Sequence, residues 1–142
     1  MPSAAVASSA KKIYICNAMT EFDETDQFTA VDHVQQLLAY APALRLNYAL
    51  FNSAPISAEL RERYAAERAY ALEPPLAHVP ELPGVELITQ PLASETRFVR
   101  HDPQRLAQAI FDIYRRSQTS FALASQEHPA TESTAITSFA SR

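Results

Sequence analysis

The sequence predicts an α/β fold made of repeated strand-then-helix units with a parallel sheet. Two observations carry this. Short apolar runs rich in β-branched and aromatic residues recur at Lys12–Cys16, Leu46–Phe51 and Val85–Thr89, the pattern of buried strands. Each is followed, after a polar break, by a segment whose apolar residues fall at helical spacing. Strands that alternate with helices pair in parallel through crossover connections, which puts all their carboxyl ends on one edge of the sheet, where ligands bind in such folds.

The first unit runs from strand Lys12–Cys16 to a helix in which Ala30, Val31, Val34, Leu37 and Leu38 share a face. Thr29 is placed to cap its N-terminus, and Pro42 closes its far end. In the second unit, Leu46–Phe51 is punctuated by Asn52 and Pro55, and Ser57 caps a helix expected to run through Leu60 and Tyr64 to Ala71 before Pro74 and Pro75 stop it. The third unit is Val85–Thr89, a polar loop, and a helix from Pro103 with Asp102 as its cap and Leu106, Ala109, Ile110 and Ile113 on one face. The stretch Pro74–Pro83 holds four of the ten prolines and reads as an extended connector. Three regions follow: residues 1–11 as a disordered lead, 12–117 as the folded α/β part, and 118–142 as a disordered tail of Ser, Thr, Ala and Gln.

Composition narrows the function. With 142 residues, 47% of them hydrophobic and 20% charged, the chain can bury the core of one domain. A formal charge of -4 without a Lys/Arg cluster argues against nucleic acid as a partner. No apolar stretch approaches the roughly 20 residues that cross a bilayer as a helix, and no secretion signal is evident, so no membrane partner and a cytoplasmic location are expected. The single glycine, Gly84, leaves no glycine-rich loop to cradle a phosphate. The single cysteine, Cys16, lies in an apolar run and reads as a buried, inert thiol. No His/Cys pair has zinc spacing, and no serine sits in a nucleophile elbow.

The segment best equipped for chemistry is the loop Asn17–Asp26 at the end of the first strand. It carries Asn17, Thr20, Glu21, Asp23, Glu24, Thr25 and Asp26. Crowded carboxylates raise one another's pKa unless a cation is shared, so the loop reads either as a Mg²⁺ or cationic-ligand site or as a solvated acidic loop.

The order Asn17-x-Met19-Thr20, Glu24-Thr25-Asp26, Asp32-His33-Val34 resembles the 2-phospho-L-lactate transferase-like family, which includes the bacterial gluconeogenesis factors. Tyr48–Asn52 with Pro55, and Val99-Arg100-His101-Asp102-Pro103 with Leu106-Ala107, are similar to later stretches of the same family. Two departures stand out: Phe22-Asp23 where the family commonly has Pro-Gly, and Gln27 where it has Gly. The resemblance implies a Rossmann-like three-layer fold more than twice this length, of which this chain would be an incomplete, C-terminal portion. It implies transfer of a phospholactyl-type group from a nucleoside diphosphate donor with Mg²⁺, or the binding of a nucleotide-sugar. Such a protein would be a transferase of phosphorus-containing groups when complete, and inactive as this chain alone. The alternatives are a non-catalytic regulatory or structural module, or a partial chain without function; a homo-oligomer is compatible with each. On this resemblance Asn17, Thr20, Thr25, Asn52 and Arg100 bind the nucleotide, while Glu24 and Asp26 hold Mg²⁺ and serve catalysis.

Overall fold

The computed structural model describes residues 4–25, 27–76 and 79–126. It divides into two compact units, Met1–Ile110 and Phe111–Arg142.

The first unit holds the sheet. After one turn of helix, α1 (Ala4–Ala7), come β1 (Ile13–Ile15), α2 (Ala30–Tyr40), β2 (Tyr48–Asn52), α3 (Ala58–Ala66) and β3 (Glu86–Gln90). The strands lie in the order β1-β2-β3 and both pairings are parallel, with Ile13 opposite Tyr48 and Tyr48 opposite Glu86. The expected α/β architecture is therefore present, with every strand's carboxyl end on one edge. The central strand β2 is buried on both faces, as parallel sheets require: Ala49 and Leu50 are fully buried and Phe51 nearly so. Ala49 and Phe51 pack with Cys16, Ala30, Val34, Leu46, Leu72 and Leu82, so α2 covers that face.

Helix starts follow local chemistry. Thr29 caps α2 in a reciprocal box: its hydroxyl accepts the Asp32 N–H, and the Asp32 carboxylate accepts the Thr29 N–H at 2.7 Å. Ser57 caps α3 through the Leu60 N–H. Asp102 caps α4 (Pro103–Gln126), taking the N–H groups of Gln104 at 2.9 Å and Arg105 at 3.0 Å.

Besides α1, a helical turn within residues 1–11 where a disordered lead was expected, the structure departs from the sequence expectations in three places. First, α3 ends at Ala66, not Ala71, because Arg68 adopts a left-handed φ of 57° and closes a Schellman motif: its N–H reaches Ala65 O, and the Ala69 N–H reaches Tyr64 O. Second, the polar loop after β3 contains an antiparallel hairpin, β4 (Ala93–Glu95) with β5 (Val99–His101). Third, α4 continues to Gln126, past the residue-117 limit; residues 127–142 lie outside the described residues. Ala122, Leu123 and Ala124 favour helix, and Ser117, Thr119 and Ser125 bond back to the carbonyls of Tyr114, Arg115 and Phe121, so their hydroxyls do not compete for an alternative backbone conformation. Phe111–Gln126 of this helix is the described part of the second unit. Among the described residues no helix is long and apolar enough to cross a membrane.

Candidate functional site

The chain leaving β1 turns at Asn17 and is pinned at once. The Thr20 N–H donates to Tyr70 O at 2.8 Å, the Leu72 N–H donates to Ala18 O at 3.0 Å, and Met19 faces Ala71 in a one-residue antiparallel bridge. Ala18, Met19, Ile56, Leu60, Ala93 and Val99 form a second buried cluster that joins this loop, α3 and the hairpin. The Tyr64 hydroxyl accepts the Val99 N–H at 3.1 Å and fixes β5 against α3.

These elements enclose a cleft of about 360 Å³ at the carboxyl end of β1, lined by Asn17–Glu21, Tyr64 and Val99–His101. Asn17 and Arg100 are exposed there, and neither makes a side-chain hydrogen bond to a described residue. Two other clefts are a smaller one of about 200 Å³ beside Asn52–Ile56 and Leu72–Pro74, and a larger, apolar-walled one of about 440 Å³ between Phe28–Val31 and Ala71–Leu76.

The other residues expected at the site are distributed differently. Thr20 is 5% exposed, and its Oγ1 accepts the Tyr70 N–H at 2.8 Å. Thr25 Oγ1 accepts the Glu21 N–H at 2.8 Å, closing the turn that carries the acidic residues. Asn52 is buried; its Oδ1 accepts from Ala54, Leu92 and Ala93, and its Nδ2 donates to Ala54 O. All three polar groups hold backbone in place. Glu24 is exposed and does not line the cleft, and Asp26 lies outside the described residues. Among the described residues no group of three or more His, Cys, Asp or Glu side chains could hold a metal ion. Glu24 by itself is not a chelating set, and its expected partner Asp26 lies outside the described residues.

His101 appears in the sequence only within the motif at the helix entry and was given no role there. It lines the cleft, and its Nε2 is buried without a hydrogen-bond partner among the described residues. Burial lowers its pKa below the ordinary 6.5, against a smaller upward pull from the backbone of Cys16. Its signal in the sequence was faint, since Asp102 beside it already explained the helix start. Cys16 itself is 1% exposed, and burial pushes its thiol to about 11, with Tyr14 raised to about 12 beside it.

Comparison with known proteins decides the family. The family model described as 2-phospho-L-lactate transferase CofD matches residues 1–93. The chain belongs to this family. Among its relatives, the gluconeogenesis factor of Halalkalibacterium halodurans is 34% identical over 116 residues, which is 80% of this chain and 35% of that protein. The gluconeogenesis factor of Bacillus subtilis is 30% identical over 109 residues, 76% of this chain and 34% of that protein. A crystal structure of a UPF0052 family member from Bacillus halodurans superimposes with a TM-score of 0.66 at 31% identity, covering 75% of this chain and 34% of that one. The chain thus spans about a third of the length of the relatives it matches.

Within the CofD family frame, the Phe22-Asp23 departure acquires a physical reading. Asp23, where the resemblance leads one to expect glycine, adopts a left-handed φ of 64°. Aspartate tolerates that region better than most residues, so the turn keeps a conformation that glycine would supply. Phe22, its neighbour, lies under the Arg68 guanidinium at 4.6 Å from the ring centroid. Arg68 is the residue whose own positive φ ends α3.

Proposed function

We propose that this chain forms one part of the ligand site of a 2-phospho-L-lactate transferase-like protein. In this reading the cleft at the end of β1 takes the phosphate-bearing portion of a nucleoside diphosphate or nucleotide-sugar. The observation that carries it is the placement of the Asn17 amide and the Arg100 guanidinium, both exposed in one cleft on the ligand-binding edge of a parallel sheet. With the rest of the fold present, the activity would be transfer of a phospholactyl-type group from the donor to a hydroxyl. Mg²⁺ would enter chiefly through the ligand's phosphates, with Glu24 and Asp26 as candidate protein contacts.

A second reading is a regulatory or structural module that binds a nucleotide-sugar without turnover. The engagement of Thr20, Thr25 and Asn52 in backbone support favours it, because it leaves few polar groups for chemistry.

Isothermal titration of the folded chain with GDP and with a UDP-sugar, each with and without Mg²⁺, tests the first reading. Saturable binding that Asn17→Ala and Arg100→Gln each weaken supports it; a flat titration from a folded sample removes it. A Glu24→Ala, Asp26→Ala double variant that abolishes only the Mg²⁺-dependent part would assign those carboxylates to the ion.

A further inference from the structure

Helix α4 carries an aromatic face that no described residue covers. Along the part that belongs to the second unit, Phe111, Tyr114, Gln118 and Phe121 recur at steps of three, four and three residues, the spacing that lines one side of a helix. Phe111 is 54%, Tyr114 56% and Phe121 74% exposed, and Gln118 is exposed between them. Ile113 and Ser117, on another side of the same helix, are buried, so the stripe is not the face that this chain packs. None of the four residues is charged, and Arg115 beside them holds its guanidinium 5.9 Å from the centroid of the Phe111 ring. Large rings left in line on a surface mark a place where something docks.

We propose that this stripe pairs with the same stripe of a second copy of this chain, the two helices running antiparallel. The stripe is palindromic: Phe111 and Phe121 each lie five residues from Arg116, and Tyr114 and Gln118 each lie two. When two such helices cross antiparallel at that level, Phe111 of each copy meets Phe121 of the other, and Tyr114 meets Gln118. Ring then packs on ring, and the one amide in the seam stands opposite a phenol that can bond to it. Antiparallel helices also bring opposite ends of their dipoles together. The area agrees with a second copy. An aromatic side chain presents about 200 Å² when fully exposed, so at these exposures the three rings offer roughly 350 Å² per copy. An interface of about 1,200 Å², the small end of the stable range, buries about 600 Å² on each partner, a little over half of it apolar. The stripe alone supplies that apolar share.

Sedimentation equilibrium of the full chain, from about 1 μM to about 1 mM, reads the association directly. The expected result is a monomer–dimer equilibrium that stops at two copies. Phe111→Glu and Phe121→Glu should each weaken it by about tenfold or more, because each buries a charge in the seam, while circular dichroism stays unchanged. Mild oxidation reads the orientation. Neither Tyr114→Cys nor Gln118→Cys should form a disulfide-linked dimer alone, since like positions lie apart in an antiparallel pair, whereas an equimolar mixture of the two should. A chain that stays monomeric over this range, association that both glutamate variants leave intact, or cross-linking of Gln118→Cys to itself overturns the proposal.

Discussion

The side-chain oxygen of Asn52 accepts the backbone N–H of Ala93 at 2.8 Å, joining residues 41 apart in sequence. The same oxygen takes the N–H of Leu92 at 3.0 Å and of Ala54 at 3.0 Å. One amide at the end of the central strand therefore holds the two loops that follow β2 and β3. Asn52→Ala would strand the buried N–H groups of Leu92 and Ala93 without an acceptor, and a loss of about 2–4 kcal/mol is expected. Urea unfolding measures it; a loss under about 0.5 kcal/mol would show that the backbone finds other partners and that Asn52 is not the anchor.

The Thr29–Asp32 capping box gives a prediction at acid pH. Hydrogen bonds from the Thr29 backbone and then its hydroxyl hold the Asp32 carboxyl below its ordinary 3.8. A lowered folded value means that the contribution is present above pH 3.8 and is lost as pH falls through the lower folded value. Thr29→Ala should cost about 1 kcal/mol at pH 7, and Asp32→Ala should flatten the acid limb of the stability profile. An unchanged acid limb in Asp32→Ala would assign that limb to other carboxylates.

His101 acts in a different window. Its folded value lies below 6.5 because of burial, so the folded state disfavours the proton that the unfolded chain accepts. Stability is full above pH 6.5 and declines as pH falls through that value towards the folded one. Thermal melts of the wild type and His101→Gln between pH 7.5 and 5 should diverge in slope, with the variant flatter. Parallel slopes would mean that His101 titrates alike in both states.

Cys16 should be chemically silent. With 1% exposure and a thiol pushed to about 11, it presents almost no thiolate at pH 8. Iodoacetamide should label it slowly in the native state and quickly in denaturant. Rapid native labelling would instead reveal frequent opening of the β1 edge.

How much of this was legible in the sequence depends on whether the deciding partner was local. Thr29, Ser57 and Asp102 act on backbone two or three residues away, and their caps could be read from spacing alone. The three parallel strands were legible from apolar runs. The hairpin was not, because β4 and β5 are three residues each and the Thr96–Phe98 turn between them contains no Gly, Asn or Pro. The end of α3 was hidden for the same reason: a left-handed arginine has no compositional mark. At the site, the identities of Thr20 and Asn52 look the same whether their partner is a ligand or a backbone N–H 50 or 41 residues away. Only folding distinguishes the two, and here it commits both to backbone.

The sheet order has a consequence for assembly. Among the described residues, β1 and β3 each have a paired strand on one side only, and all three strands point the same way. Such a sheet has direction across its width as well as along its strands. If one copy adds to another while preserving the parallel sense, the β3 of one must continue into the β1 of the next. That junction uses two different surfaces, so each addition exposes the same pair again at the ends of the row. Covering either edge halts the process.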